Sequence, residues 1–185
     1  MTGHPMTDTQ WPRYEVFQKE RESRPHQNVG SVHAPDFEMA MQNARDVFVR
    51  RPQALNLWVV PAEAILAKTA QEIEADPAWT EAVAGSGDGA ETYYVFQKAG
   101  QRRAMVYVVH VGEVEAETAE QALKLALQKY AADDVYVWWV CPAAAVVASD
   151  EDDIESMFAP ANDKIYRMPN QYRTITQMME VRKEE

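Results

Sequence analysis

The sequence predicts an α+β fold in which two ββαβ units form a pseudo-dimer within one chain. Three short blocks of the first half return in the same order in the second half, shifted by 79, 82 and 81 positions. Each half also has the same succession of two alternating segments, one helical stripe and a third apolar segment. This period is too long for a solenoid repeat, so we interpret the chain as a duplicated small domain.

The three repeated blocks are a Val-Phe-Gln-Lys run, a Val-Gly-x-Val-x-Ala pattern and a Trp-Val-x-Pro-Ala pattern. They lie at residues 16–19 and 95–98, 29–34 and 111–116, and 58–62 and 139–143. The small differences in offset fall between the blocks, where loops are expected. With 46% hydrophobic residues in 185, the chain can bury a core as one unit or as two lobes.

Each copy begins with two predicted strands and a helix. In the first copy, residues 14–18 and 28–33 alternate well enough for strands joined by a polar turn. Asp36 then has the position of an N-cap, and in the second copy Thr118 and Gln121 have the spacing of a capping box. One apolar stripe follows in each copy: Phe37, Ala40, Met41, Ala44, Val47 and Phe48, and then Ala119, Ala122, Leu123, Ala126 and Tyr130.

A third strand is predicted at residues 55–60 and 135–140, and a proline ends it at Pro61 and Pro142. The apolar segments 62–67 and 143–148 are interpreted as one or two helical turns. A right-handed crossover through the helix would place the third strand antiparallel beside the first. Each copy is therefore expected to form a three-stranded antiparallel sheet with its helix on one face. Such a sheet is marginal alone, so the copies should share a core or join their sheets.

The chain divides into a first copy (11–68), an acidic, Gly-rich linker (69–90), a second copy (91–148), an acidic loop (149–163) and a tail (164–185). The linker carries −5 and the acidic loop −6, which together equal the net charge of −11. Such acidic segments repel phosphate and disfavour nucleic-acid binding. No apolar stretch approaches the roughly 18–20 residues of a membrane span. The polar N-terminus has no signal-peptide pattern and Cys141 is expected to be a buried strand thiol, so we expect a cytoplasmic protein.

No motif predicts a catalytic, cofactor-binding or metal-binding residue. The histidines His4, His26, His33 and His110 do not form a metal-ligand pattern. The Gly-rich run at 85–89 has the spacing of neither a P-loop nor a dinucleotide fingerprint. The acidic run at 150–153 lacks the glycine and distal glutamate of a calcium loop.

Two groups of residues are candidates for a binding surface. Arg45, Arg50 and Arg51 lie at the end of the first helix and form either a solvated helix end or an anion or partner site. Trp138 and Trp139 are adjacent on one strand and must point to opposite sheet faces. One of them is therefore exposed, at the seam between copies, or at a partner interface. The remaining candidates for partner contacts are Trp58, Tyr166, Arg167 and Tyr172.

Several blocks of the chain resemble the PaaB family. They are Trp-Pro-x-Tyr-Glu-Val-Phe at 11–17, His-x-x-Val-Gly-Ser-Val-His-Ala at 26–34, Met-Ala-x-x-Asn-Ala-Arg-Asp at 39–46, Trp-Val-Val at 58–60, Lys-Ile-Tyr-Arg-x-Pro at 164–169 and Tyr-x-Thr-Ile at 172–175. The resemblance covers residues 11–67 and 157–176, and members of the family have a single copy. It implies a small accessory subunit of the oxygenase that epoxidises the ring of phenylacetyl-CoA.

The resemblance implies partners and no cofactor for this chain. The partners would be the catalytic di-iron subunit and the structural subunit, while a separate reductase supplies electrons. Our leading hypothesis is a non-catalytic subunit of this complex in aerobic phenylacetate degradation, with the first copy and the tail recognising partners. The alternative is a stand-alone pseudo-dimer that binds or converts a small aromatic or acyl-CoA ligand between the copies, where arginines would pair with CoA phosphates.

Overall fold

The computed structural model describes residues 11–49, 54–81, 89–100, 108–132 and 134–160, and within these ranges the α+β class is confirmed. The first copy contributes β1 (Arg13–Lys19), β2 (Gln27–His33), α1 (Phe37–Phe48), β3 (Asn56–Pro61), β4 (Leu66–Thr69) and α2 (Ala70–Ala75). The second copy contributes β5 (Glu91–Ala99), β6 (Val109–Ala116), α3 (Ala119–Lys129), β7 (Val135–Pro142) and β8 (Val147–Ala148).

Each copy forms the predicted antiparallel sheet with its helix on one face. β1 pairs with both β2 and β3, and β5 pairs with both β6 and β7. The predicted N-caps are present, because the Asp36 carboxylate accepts from the Met39 amide at 2.8 Å and the Thr118 hydroxyl from the Gln121 amide at 3.2 Å. The second bond of the predicted capping box is shifted by one residue, since the Gln121 side-chain oxygen accepts from the Glu117 amide at 2.9 Å. The helix-side core of the first copy contains Val16, Met41, Ala44, Leu57 and Val59. That of the second copy contains Val95, Leu123, Ala126, Trp138 and Val140.

The helical stripe of α1 is narrower than predicted. Ala40, Met41 and Ala44 are buried as expected, but Phe37 and Val47 are exposed. Phe37 is the first residue of the helix and contacts the ring of Tyr14 edge-on, with a centroid distance of 5.3 Å. Val47 lies at the margin of the stripe, where the helix surface turns toward solvent. These two side chains belong to the apolar stripe but not to the buried core.

The segments after the two prolines differ most from the prediction. A single 3₁₀ turn follows each proline, at Ala62–Ala64 and Ala143–Ala145, and a strand then crosses to the other copy. β4 of the first copy pairs with β7 of the second, and β8 of the second pairs with β3 of the first. The alanines that suggested helical turns thus form only a short reversal before strand pairing takes over. The sheet has eight strands in the order β4-β7-β5-β6-β2-β1-β3-β8.

The two halves of the sheet join through β2 and β6 at a pseudo-two-fold axis. Their ladder pair is Gln27 with Val109, and these positions differ by the 82-residue offset of the repeat. On one side of this pair the Asn28 amide donates to the Val108 carbonyl at 2.8 Å. On the other side the His110 amide donates to the His26 carbonyl at 2.8 Å. Each bond is the symmetry equivalent of the other, which is the arrangement expected of a pseudo-dimer.

A third core lies between the copies, on the sheet face away from α1 and α3. Phe17 of β1 and Phe96 of β5 have ring centroids 4.4 Å apart, although two strands separate β1 from β5 in the sheet. The sheet therefore curls until its two halves face each other. Cys141 is fully buried in this core, as predicted, and desolvation raises the pKa of its thiol to about 12. The inter-copy core consists of Phe17, Val60, Phe96, Val108, Val137 and Cys141.

Both connecting segments contain structure that covers the other copy. The predicted linker 69–90 begins with α2, whose capping box joins Thr69 and Glu72, and Ile73 of this helix is buried in the core of the second copy. The predicted acidic loop 149–163 contains a 3₁₀ turn and a π-helix, Ile154–Phe158, and Phe158 is buried in the core of the first copy. The remainder of these segments, residues 82–88 and 161–163, lies outside the described residues.

A bulge on the second strand of each copy depends on a glycine. The register slips between Val16 and Phe17 in one copy and between Val95 and Phe96 in the other. The glycines opposite these slips have φ values of +139° at Gly30 and +153° at Gly112. At Gly30 an added Cβ would lie 2.8 Å from the Phe48 ring, and at Gly112 it would collide with the Tyr130 ring. The ring at the end of each helix thus closes over the bulge of its own copy.

Replacing Gly112 by alanine is expected to lower the free energy of unfolding by about 2–4 kcal/mol, from backbone strain and overpacking together. Gly100→Ala separates the two causes, since Gly100 has a φ of +73° but nothing within 4 Å of the added Cβ. That variant should lose about 1 kcal/mol. The exposed Gly89→Ala variant is the control and should change by less than about 0.5 kcal/mol. Chemical denaturation followed by tryptophan fluorescence measures all three, and equal stabilities would contradict the role of the bulge.

Candidate partner interfaces

The three candidate tryptophans pack inside the chain. Trp138 lies in the helix-side core of the second copy, and Trp139 packs against the inter-copy core, where it meets Phe17 edge-on at 6.3 Å. Their opposite orientations follow the alternation expected of a strand, and Trp139 is the one at the seam. Trp58, which occupies the position of Trp139 in the first copy, also packs at the seam. The role of these three residues in partner binding stays a prediction.

The arginine and tail candidates are only partly described. The Arg45 guanidinium lies 2.9 Å from the Asp46 carboxylate, and both side chains are more than one-third exposed. An ion pair this exposed adds little stability, but it offsets the positive charge of Arg45 toward an incoming anion. The other residues predicted for this role lie outside the described residues: Arg50, Arg51, Tyr166, Arg167 and Tyr172.

An aromatic and histidine cluster occupies one side of the seam. His26 stacks on Trp58 with ring centroids 3.5 Å apart, and Trp58 stacks on Tyr94 at 5.0 Å. His110 completes the cluster at 5.1 Å from Tyr94. The Nε2 of His26 donates to the Asn56 side-chain oxygen at 2.9 Å, since the Asn56 amide nitrogen donates to the Ser149 carbonyl. This chain of bonds joins the residue before β2 and the first residue of β3 to the residue that follows β8.

Burial lowers the pKa of both histidines and so disfavours their charged form. Desolvation lowers the pKa of His26 from 6.5 to about 4, although its hydrogen bond to Asn56 opposes the shift. The nearby His110 and Lys19 lower it slightly further. Desolvation also lowers the pKa of His110, against the opposing charge of Glu113. The buried Nε2 of His110 has no hydrogen-bond partner among the described residues. Within the described ranges, no group of three His, Cys, Asp or Glu side chains could hold a metal ion.

On the opposite side of the seam, the aligned backbone positions have different side chains. The repeat aligns Asn28 with His110 at an offset of 82, and Glu15 with Tyr94 at an offset of 79. Asn28 donates to the Glu15 carboxylate at 3.0 Å, where the second copy has an aromatic contact instead. The seam is therefore symmetric in fold and asymmetric in polarity.

Two grooves flank the start of α1. The first, of about 450 Å³, lies between α1 and the exchanged strand β8, so residues of both copies form its walls. The second, of about 610 Å³, lies beside the start of β1 and the turn after Pro61. Phe37 lines both grooves. The first groove is lined by Phe37, Glu38, Met41, Gln42, Val147, Ala148, Ser149, Asp150 and Met157.

Exposed large apolar side chains concentrate in the first copy. Among the described residues they are Trp11 (59% exposed), Val47 (46%), Met39 (39%), Phe37 (37%) and Val111 (37%). At the first four positions the second copy has smaller or polar residues: Ala90, Lys129, Gln121 and Ala119. Sequence reasoning missed this surface because it compared the copies by what they share. A position-by-position comparison of α1 with α3 would have shown the difference.

The comparison with known proteins also finds two copies in the chain. The family model described as "Phenylacetic acid degradation B" (PaaB) matches residues 10–83 and again residues 90–179. A subunit of the 1,2-phenylacetyl-CoA epoxidase of Escherichia coli (strain K12) is 43% identical over 67 residues, which cover 36% of this chain and 70% of that protein. No solved structure matches the chain significantly.

The second family match extends the resemblance found in the sequence. It runs from residue 90 to residue 179 and so includes the diverged second copy as well as the tail. In the structure, the bulge, helix and third strand of the second copy repeat those of the first. None of the helices in the described part of the chain is long and apolar enough to cross a membrane.

Because the pKa values of His26 and His110 are lowered in the folded chain, we expect the free energy of unfolding to depend on pH. An unfolded histidine has a pKa near 6.5, so the unfolded chain binds protons first as the pH falls. The free energy of unfolding should therefore fall between pH 6.5 and about 4, with His26 contributing on the order of 2 kcal/mol. Denaturation curves at several pH values measure this slope.

Variants taken from the repeat isolate the histidine contribution. His26→Val and His110→Asn place at each position the residue that the other copy has, Val108 and Asn28. In each variant the free energy of unfolding should depend less on pH than in the starting protein. Ser31→Asn, at an exposed residue of β2, removes no titratable group and is the control, which should leave the slope unchanged. Equal slopes for all four proteins would show that the buried histidines are not its source.

Proposed function

The chain belongs to the PaaB family, and we propose that it is a non-catalytic accessory subunit of a phenylacetyl-CoA epoxidase complex in aerobic phenylacetate degradation. The observation that carries this proposal is the family match to both copies, which together account for most of the chain. We propose the cytoplasm as its location. Its proposed partners are the catalytic di-iron subunit and the structural subunit of the complex.

The two copies are proposed to take the place of two protomers of a single-copy relative. In this chain each copy supplies the fourth strand of the other copy's half-sheet, and each connector covers the other copy's core. Isolated three-stranded sheets would leave these edges and faces open. The division into copies and connectors at residues 68/69, 90/91 and 148/149 remains part of this proposal, and β4 crosses the first of these boundaries.

The surface of the first copy supports a role in assembly. Exposed aromatic and methionine side chains are typical of protein interfaces and are uncommon on surfaces that contact only water. In this chain such residues occur in the first copy, at positions where the second copy has smaller or polar residues. In this proposal both copies form the scaffold, and the surface of the first copy contacts the partner.

The alternative function is ligand binding between the copies. Its support is the first groove, which both copies line and which has the volume of a small-molecule site. The described walls of this groove carry Glu38 and Asp150 and no cation, so they repel the phosphates of an acyl-CoA. Arg45 is paired with Asp46. The electrostatics therefore favour the accessory subunit.

Co-expression with the catalytic and structural subunits tests the proposal. We expect the chain to elute with them in size-exclusion chromatography at micromolar concentration, in a fixed ratio. The same subunits expressed without this chain are the control and should elute at a smaller size. Separate elution would contradict the accessory role. Heat released when phenylacetyl-CoA is titrated into the isolated chain would favour the alternative function.

A further inference from the structure

We propose that residues 164–179 of the chain bind back into the first groove, between α1 and β8 of the same molecule. The proposal goes beyond the accessory role and does not depend on it, because it concerns contacts within one chain. It follows from three observations: the described part of the chain ends beside this groove, the groove has apolar walls with an acidic rim, and the segment is both basic and apolar.

The C-terminal end of the described residues lies next to the groove. Phe158 is buried in the core of the first copy, and the preceding Met157 lines the groove. The described part of the chain ends three residues after Met157, at Pro160. Residue 164 follows Met157 by seven positions, and seven residues of chain span at most roughly 25 Å. Because the loop to be closed is short, the loss of chain entropy on binding is small.

The groove has apolar side chains on both sides. Phe37 and Met41 lie one turn apart on α1, and Val147 and Met157 line the groove from the segment of the second copy. Met41 is buried, whereas Phe37 is 37% exposed. An occupant with apolar side chains would remove the exposed part of the Phe37 ring from water, which favours binding.

The groove also runs along the open edge of the sheet. Within the described ranges β8 is the last strand, and the Ser149 amide after it donates to the Leu57 carbonyl of β3 at 2.8 Å. Because neighbouring residues of a strand direct their backbone groups to opposite sides, Ala148 presents its amide and carbonyl to the open edge. Ala148 lines the groove. A peptide segment can bond to these groups and fill the groove, whereas a small aromatic ligand offers only the apolar contact.

The rim of the groove determines the charge of its occupant. Glu38 and Asp150 line the groove and form no ion pair with any described residue. Glu151 and Asp152 follow on the same segment and are exposed. An occupant with lysine or arginine beside its apolar side chains would offset the repulsion among these carboxylates.

The segment 164–179 has the complementary composition. Lys164, Arg167 and Arg173 give it a charge of +3, and it contains no Asp or Glu. The connector before it, residues 149–163, carries −6. Apolar side chains of the segment that enter the groove therefore bring a cation to the acidic rim. These apolar residues are Ile165, Tyr166, Met168, Tyr172, Ile175, Met178 and Met179.

The second copy shows how a cation covers the corresponding position of the fold. The repeat aligns Ser149 with Lys68 at an offset of 81. The Lys68 ammonium lies over the Trp79 ring, 5.4 Å from its centroid, and Trp79 packs against the core of the second copy. In the first copy the short Ser149 side chain accepts from the Leu57 amide at 3.0 Å instead. A lysine or arginine of the segment 164–179 would supply there what Lys68 supplies in the second copy.

Limited digestion of the complete isolated chain with trypsin tests the contact, because trypsin cleaves after lysine and arginine. Cleavage after Lys164 and Arg167, assigned by mass spectrometry, should be at least about 10-fold slower than in a free peptide of residues 161–185. The physical reason is that a bound segment must leave the groove before the protease can cut it. Cleavage in the chain as fast as in the peptide would overturn the proposal.

Two neighbouring substitutions locate the protected segment. Phe37→Ala removes part of a groove wall and places on α1 the residue that α3 has there, Ala119. Cleavage after Lys164 and Arg167 should become at least about 3-fold faster. Met39→Gln is the matched control, since Met39 is equally exposed but does not line the groove and α3 has glutamine at that position. Equal cleavage rates in these two variants would show that the segment does not bind in the groove.

A pair of double variants tests the charge. Glu38→Gln with Asp150→Asn should speed cleavage of the segment by about 3- to 10-fold at low salt, and added salt should then have less effect than in the starting chain. Glu74→Gln with Glu120→Gln removes the same charge from exposed positions of α2 and α3 and should change neither. The same cleavage rate in both double variants would contradict the role of the rim. Circular dichroism and denaturation curves confirm that each variant is folded.

Two further outcomes would assign the segment to another binding site. Protection that increases with protein concentration, together with dimers in light scattering, would show that the segment binds a second copy of the chain. Protection that appears only when the catalytic and structural subunits are added would show that it binds one of them. Either result would overturn the contact within the chain. Failure of the chain to elute with those subunits would remove the accessory role and leave the protection measured on the isolated chain unaffected.

Discussion

The short antiparallel join between β2 and β6 determines the architecture of this protein. The pair of Gln27 and Val109, with one hydrogen bond on either side, places the two copies about a pseudo-two-fold axis. Every other element shared between the copies is arranged by that axis: the exchanged strands, the covering segments and the inter-copy core. Because the join itself is short, its geometry is maintained by the larger apolar contacts that it brings together, such as the packing of Phe17 on Phe96.

Local patterns were sufficient to predict the elements within each copy. The alternation of the strands, the caps at Asp36 and Thr118 and the opposite orientations of Trp138 and Trp139 depend on neighbours close in sequence or on strand geometry. The strand exchange was not predictable in this way, since the alanines at 62–64 and 143–145 suit a helix locally and only a pairing edge in the other copy converts the following residues into strands. The exposure of Phe37 and Val47 was missed for a related reason. Periodicity identifies which face of a helix is apolar but not how far the underlying sheet extends.

Duplication within one chain permits an asymmetry that two identical protomers cannot have. In a symmetric dimer every exposed side chain appears twice, and a partner meets two equivalent faces. Here the shared backbone carries Asn28 and Glu15 on one side of the seam and His110 and Tyr94 on the other. The outer helices differ in the same manner. The fold constrains the buried positions of both copies equally and leaves the surface positions free to diverge.

Because β8 of the second copy pairs with β3 of the first, the first copy cannot complete its sheet until the second has been synthesised. The Leu57 amide donates to the Ser149 hydroxyl, which lies 92 positions later in the chain. At 5–20 residues per second, the ribosome adds that much chain in about 5–18 s. Throughout this interval β3 presents an unpaired apolar edge, because the strand that completes it has not yet been made. Until β8 is made, that edge is open to pairing with any other strand, so the order of synthesis leaves the first copy exposed to mispairing longer than the second.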